Sequence, residues 1–283
     1  MRPSTVFPLS LFLLIFLWPL EFSPNHPPTF ILWNVGQGQW ATLSESHRCW
    51  HFDMGGEQAP WVAIFKECRK KEQWLSLSHW DWDHLSFVRR ARMHWPRLCR
   101  KHAPLGSSTP SRERLILNLP TCPQGSANPT SVEVLEVDWW SEISHGIENL
   151  KANDLSRVFV IRSALGSILL TGDATARMER LWAHKLKDMN ISYLVLGHHG
   201  SRTSTSVELL QQLPQLRLSL VSARRARYNH PHPLVTERLS QRHIPWVGTE
   251  DFGHIRILLV QKGDTPAPNH ERPAHSRQPH YRH

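Results

Sequence analysis

From residue 29 onward the chain is a succession of short apolar runs, each closed by a turn rich in glycine, aspartate, asparagine or proline. Runs of this length, enriched in β-branched and aromatic residues, predict strands. The first three cover 30–35, 40–46 and 48–53, and the last of these ends on Asp53 before a Met-Gly-Gly turn. Residues 60–71 read as a helix, with proline in the first turn and basic residues in the last. A strand at 73–78 then delivers the chain into Ser-His-Trp-Asp-Trp-Asp-His-Leu (78–85), and 84–95 reads as helical again. Residues 96–153 are irregular, with strands expected at 114–119 and 131–137. In the second half, 157–162 and 167–173 predict a hairpin, followed by a helix at 175–187 and a strand at 192–197 that runs into His-His-Gly-Ser. A helix at 205–213, a strand at 216–223, a helix at 233–242 and a strand at 254–260 complete the order. Hairpins early in both halves, with helices interspersed, imply two mixed sheets packed face to face and helices outside. No fixed-period repeat is present.

Both termini depart from this pattern. Arg2 precedes an apolar run from Leu9 to Leu20, followed by the polar, proline-rich Glu-Phe-Ser-Pro-Asn-His-Pro-Pro. That run is shorter than the roughly 20 residues a membrane-spanning helix requires and fits the apolar region of a signal peptide. Residues 1–28 are therefore expected to be a signal peptide or N-terminal membrane anchor, placing the protein outside the cytoplasmic membrane, in the periplasm or at the cell surface. Residues 264–283 are rich in proline and histidine without apolar periodicity, so a disordered tail is expected there. One folded domain, 29–263, lies between them.

Lysine and arginine outnumber aspartate and glutamate 33 to 24, a net charge of +9. Such an excess favours polyanionic partners, either nucleic acid or an anionic membrane surface. Cys49, Cys68, Cys99 and Cys122 are scattered without a C-x-x-C spacing, which excludes a zinc ribbon or a thioredoxin-like motif. They can form two disulfides in any of three pairings in an oxidising compartment, or remain thiols in the cytoplasm.

The stretch 78–85 sits between a strand and a helix, where side chains can converge on a point. His79, Asp81, Asp83 and His84 offer imidazoles and carboxylates, donors suited to zinc or manganese. Asp53, Asp173 (in Ser-Ile-Leu-Leu-Thr-Gly-Asp), and the pair His198 and His199 also end strands and are followed by turns. Independent structural roles explain such a coincidence poorly; a metal site at one rim of the sheets explains it well.

The ordered segments NVGQGQWATL, HFDMGG, SHWDWDHL, LLTGDA, LGHHGSRTSTS, YNHPHP and FGHIRI resemble the metallo-β-lactamase-like domain of ComEC-type DNA-uptake competence proteins, over about residues 29–262. The resemblance implies an α+β, four-layer αββα sandwich with one or two divalent metal ions at the sheet edge. It implies that His79 and Asp81 serve one metal site, that Asp83, His84 and His198 serve a second, and that Asp173 is shared. His199 would be a neighbouring group, touching a ligand or the substrate, and His230 and His232 would contact a phosphate or carry a proton. Departures are Asn34 and Gln39 in place of two acids, and Ser86 and Phe87 in place of glycines. The middle histidine of the superfamily has no clear counterpart, His145 being the nearest.

The expected activity is that of a metal-dependent phosphodiesterase or nuclease acting on DNA. Asp83 or Asp173 would orient the attacking water and His230 or His199 would protonate the leaving oxygen. Ser201, Arg202, Arg227 and His232, with Arg224 and Arg225, would hold the phosphate backbone without reading sequence. Trp80 and Trp82, which flank the candidate ligands, are potential stacking surfaces. A membrane channel is an expected partner. Two other readings are a hydrolase of a small ester, lactam or thioester, and a DNA-binding module without catalysis.

Overall fold

The computed structural model describes residues 27–123, 132–139 and 150–259. The expected signal or anchor segment, the tail from 264 and His145 lie outside the described residues, apart from Pro27 and Pro28. Among the described residues no helix is long and apolar enough to cross a membrane.

Two six-stranded sheets form the centre. In the first, β1 (Thr29–Leu32), β2 (Ala41–Ser44) and β3 (Arg48–Phe52) make an antiparallel meander, and β4 (Glu72–Ser76) and β5 (Cys99–His102) continue it in parallel. The last strand, β12 (Ile255–Leu258), closes the other edge against β1. The second sheet repeats the plan: β6 (Glu133–Glu136), β7 (Phe159–Arg162) and β8 (Ser167–Leu170) are antiparallel. Then β9 (Ile191–Val195), β10 (Leu218–Val221) and β11 (Trp246–Gly248) run parallel to β8.

Helices cover the outer faces. On the first sheet lie α1 (Trp61–Cys68), α2 (Trp82–Leu85), α3 (Val88–His94) and α4 (Pro110–Leu117). The second sheet carries α5 (Ala176–Trp182), α6 (Val207–Gln211), α7 (Arg225–Tyr228), α8 (Pro233–Ser240) and α9 (Thr249–Phe252). The central strands are buried on both sides because both sides are covered, which is why they read as continuous apolar runs, while the edge strands β6 and β12 are partly exposed. Phe30, Leu32, Phe52, Phe159, Leu170 and Leu220 fill the space between the sheets. Ile31, Trp33 and Leu75 face the helices on one side, and Leu169, Leu194 and Trp182 pack together on the other. The architecture is the expected four-layer αββα sandwich.

One expected strand is a helix. Residues 114–119 belong mostly to α4, which starts after Thr109 with Pro110 in its first turn. Its apolar run is too short for periodicity to separate the two states, and the proline start signal was the better guide. The helix expected at 84–95 is broken at Ser86 and Phe87 into α2 and α3. The cysteines form two disulfides, Cys49–Cys68 and Cys99–Cys122, which tie β3 to α1 and β5 to the loop after α4.

Candidate metal centre

The site follows from strand direction. Strands β3 and β4 are parallel neighbours in one sheet, as are β8 and β9 in the other, so their C-terminal ends deliver loops to one rim. Asp53 follows β3, the 78–85 loop follows β4, Asp173 follows β8, and His198 and His199 follow β9. Gly38 and Gly55 let the loops close: a Cβ on Gly55 would lie 2.4 Å from the Asp83 carbonyl oxygen, and one on Gly38 would lie 2.6 Å from it. Backbone hydrogen bonds from Gln39 N–H to Asp83 O (3.1 Å) and from Met54 N–H to His84 O (2.7 Å) fix the start of α2 in that space.

Asp173 lies at the centre, with its two oxygens facing different partners. Its Oδ1 is 3.1 Å from His84 Nε2 and 3.8 Å from His199 Nε2. Its Oδ2 is 3.7 Å from His79 Nε2 and 3.6 Å from His198 Nε2. Asp81 Oδ2 adds to the His79 side at 3.5 Å, and Asp83 Oδ2 to the His199 side at 3.2 Å. Donor atoms of His79, His84 and Asp173, and separately of Asp83, His84 and His199, all lie within 4.8 Å of one another.

The geometry therefore groups His198 with His79 and Asp81, and His199 with Asp83 and His84. The expectation from sequence sets His198 with Asp83 and His84 and leaves His199 as a neighbouring group; the distances bring His199 into the cluster instead. Adjacent histidines cannot be assigned to sides without the backbone. Here both are left-handed, His198 at φ 49° and His199 at φ 55°, which turns their rings to opposite sides of Asp173. Non-glycine residues avoid that conformation at a cost of roughly 1–2 kcal/mol each, and such strain clusters at functional sites.

All four imidazoles point Nε2 inward, and each Nδ1 has its own partner. His84 Nδ1 donates to Asp53 Oδ2 at 2.8 Å, and His199 Nδ1 to the Ser222 carbonyl at 3.0 Å. His79 Nδ1 lies 2.9 Å from Ser78 Oγ, and His198 Nδ1 3.1 Å from Thr203 Oγ1. Holding the outer nitrogen fixes the tautomer and frees the inner one to bind an ion. Inside the cluster, His79 Nε2 and Asp173 Oδ1 are buried without a hydrogen-bond partner among the described residues. Unpaired buried polar atoms are costly unless something coordinates them, so the residues present fit a metal. The His/Asp cluster is a divalent-metal-binding site.

Its electrostatics agree. Burial alone would lower the pKa of His84, but the carboxylates of Asp173 and Asp53 outweigh it and hold it well above its usual value. Burial opposes ionisation of Asp173 and Asp83. The imidazoles of His84, His199 and His79 outweigh it at Asp173, and those of His199 and His84 at Asp83, holding both carboxyls below the ordinary range. The carboxylates thus draw positive charge to the centre, supplied by a proton on His84 or by an ion that displaces it, since a ligating imidazole is neutral.

Asp53 is the residue the sequence undervalued. It ends β3, a visible signal, but nothing local shows that it accepts from Ser78 N–H (2.7 Å), Ser78 Oγ–H (2.8 Å), Gln39 Nε2 (2.8 Å) and His84 together. Gln39, one of the departures, is thus a donor to the residue that orients His84.

The expected substrate groups divide. His230 approaches Gln37 Nε2 at 3.5 Å; burial, then the charges of His199 and His198, lower its pKa to about 4. His232 caps α8, its Nδ1 accepting from Leu234 N–H at 3.2 Å. Ser201 is buried beside Thr203, whereas Arg202 is exposed with no carboxylate partner among the described residues. Arg224 and Arg227 both pair with Glu57, at 3.2 and 3.1 Å, and Arg225 pairs with Asp251. Of the two flanking tryptophans, Trp80 is core, its indole donating to Gly106 O, while Trp82 is 53% exposed between Asp81 and Asp83.

No protein-family model matches the chain. It is 34% identical over 117 residues to Recombination protein 2 of Haemophilus influenzae, covering 41% of this chain and 15% of that protein. It is 33% identical over 114 residues to ComE operon protein 3 of Bacillus subtilis, covering 40% and 15%. To the uncharacterised YcaI of Escherichia coli it is 26% identical over 266 residues, covering 88% and 32%. The chain thus spans at most about a third of the length of these relatives. Among solved structures, the metallo-β-lactamase fold protein YhfI of Bacillus subtilis superposes with a TM-score of 0.52 at 10% identity, covering 81% of this chain and 99% of that one. CmlA, a diiron β-hydroxylase from Streptomyces venezuelae, superposes equally well at 14% identity, covering 82% and 55%. The chain carries a metallo-β-lactamase-fold domain with a His/Asp cluster at the rim of its sheets. In sequence it is loosely related to competence-associated and recombination proteins.

Proposed function

We propose that the protein is a metal-dependent phosphodiesterase that cuts DNA outside the cytoplasmic membrane, related to the metallo-β-lactamase-like domain of ComEC-type uptake proteins and serving a membrane channel partner. The observation that carries this reading is the division of Asp173 between two four-donor sets, His79–Asp81–His198 on one oxygen and Asp83–His84–His199 on the other. Two such sets suit a pair of zinc or manganese ions, which supply a Lewis acid for the phosphoryl group and an acidified water.

The residues of the chain contribute the rest. Asp83 is only half-buried, so its ionised carboxylate can accept a proton from, and orient, an incoming water at the mouth of the cluster. With both nitrogens of His199 engaged, proton transfer to the leaving oxygen falls to His230, which is neutral at pH 7 and would relay the proton given up by the attacking water rather than supply one of its own. Arg202 positions the phosphate, and Trp82 stacks on a base. The two disulfides support placement in an oxidising compartment.

The test is metal analysis of the purified chain, followed by cleavage of single- and double-stranded DNA with zinc or manganese, beside an Asp83→Ala, His84→Ala double variant. Metal-dependent cutting that the variant lacks is expected. Cleavage of small esters alone, or DNA binding without cutting in any metal, would refute it.

A further inference from the structure

Charge is distributed unevenly in this fold. The arginines near the metal centre at 224, 225 and 227 are paired with Glu57 and Asp251. Apart from Arg202, the densest group of unpaired cations among the described residues lies elsewhere. Residues 84–112 contain no acidic residue and seven basic ones. On the outer face of the first sheet, α1 and α3 pack side by side, with His94 4.7 Å from Phe65 and Arg90 stacked 4.8 Å over Trp61. Lys66, Arg69 and Lys70 at the end of α1, Arg89 and Arg92 on α3, and Arg97 after it are all exposed, and none has a carboxylate partner among the described residues.

Beside these cations lies an open groove of about 760 Å³, lined by Lys70, Lys71, Trp74, Trp95, Arg97 and Pro120 among others. Lys70, Lys71 and Arg97 outnumber the one acidic lining residue, Glu72, and the half-buried Trp95 offers its ring. In the other direction α3 leads back through α2 to the exposed Trp82 and to Asp83 at the metal centre.

We infer that the α1–α3 face and its groove bind the sugar-phosphate backbone of a nucleic acid strand and lead it to the metal centre. The inference deepens the nuclease reading by naming the surface that grips the substrate, and it moves that surface away from the arginines around residue 225. Self-repulsion among unpaired cations on one face is a standing cost that a polyanion relieves by releasing its own counterions. Guanidinium forks suit phosphate oxygens, and aromatic rings in the groove give unstacked bases a surface irrespective of sequence. A concave groove with the half-buried Trp95 in its lining favours a nucleic acid strand over a flat anionic bilayer.

The experiment measures binding of a short fluorescein-labelled single-stranded DNA to the full chain by anisotropy across a salt series. Chelator is present, so cleavage plays no part and the outcome is separable from that of the hydrolase test. The variant is Arg89→Gln, Arg92→Gln, Arg97→Gln, with the corresponding triple lysine variant retaining the charge. Loss of three phosphate contacts lowers the slope of log affinity against log salt by about 2, and affinity at 0.1 M salt by about 100-fold. The lysine variant recovers most of both. Unchanged affinity and slope in the glutamine variant overturn the inference. So does loss of binding to phosphatidylglycerol-containing vesicles with DNA binding intact, which would make the face a membrane surface.

Discussion

Replacing Asp53 with asparagine tests whether the metal centre depends on a residue that touches no ion. The substitution keeps size and shape but turns one acceptor into a donor, and in this site neither oxygen can tolerate that. Oδ1 accepts from Ser78 N–H at 2.7 Å; Oδ2 accepts from Gln39 Nε2, Ser78 Oγ–H and His84 Nδ1, each at 2.8 Å. Whichever way the amide turns, its NH2 faces a donor, leaving at least one buried group unpaired at about 1–3 kcal/mol. His84 also loses the carboxylate that fixes its ring, and because His84 Nε2 lies 3.3 Å from His199 Nε2 the effect reaches the heart of the cluster. Loss of such an outer partner typically weakens metal binding 10–100-fold, or about 1.4–2.8 kcal/mol. The assay is competition for zinc against a fluorescent chelator, with a thermal melt of the same samples. Asp53→Asn should bind zinc at least about tenfold more weakly and melt earlier. If it binds zinc as tightly as the parent while His84→Ala does not, Asp53 has no role in holding His84.

Three further outcomes follow from the fold and site. Cys99→Ser, Cys122→Ser removes a crosslink of sequence separation 23, which in the chain-entropy account costs about 3 kcal/mol; a fall in Tm of about 6–12 °C is expected, and an unchanged Tm would exclude the bond. His51 is fully buried, donating from Nε2 to Gln73 Oε1 (2.9 Å) and accepting at Nδ1 from Trp40 Nε1 (3.1 Å), and burial lowers its pKa from 6.5 to about 4. The unfolded chain therefore takes up this proton first, so stability is full above about pH 6.5 and declines toward pH 4 by about 3 kcal/mol. A His51→Gln variant should lack that acid slope in chemical denaturation; an identical slope would assign it to other groups. Trp82→Ala should raise KM for single-stranded DNA about tenfold through lost stacking, with metal content unchanged and partial recovery in Trp82→Phe; an unchanged KM would remove Trp82 from the substrate path.

The sequence by itself determined the layers and the chemistry. Buried strands advertise themselves as short apolar runs, so two sheets and most helices could be read directly. Histidine and aspartate at successive strand ends marked the rim where a metal would lie. Most of what it missed concerned relations between segments distant in the chain. Residues 114–119 carry an apolar run compatible with either state, and Pro110 in the first turn together with packing against the first sheet makes it the helix α4. His198 and His199 are neighbours in sequence, and which one faces which oxygen of Asp173 was decided by two successive left-handed residues. Asp53 looked like a strand end; its role appears only when β3 and the 78–85 loop are brought together. The basic residues near 225 looked free until Glu57 and Asp251, both distant in the chain, were placed beside them. Residue types and local periodicity are properties of a segment, so a sequence states them. Pairing, orientation and charge neutralisation are set by distances between segments, and those exist only once the two sheets have packed.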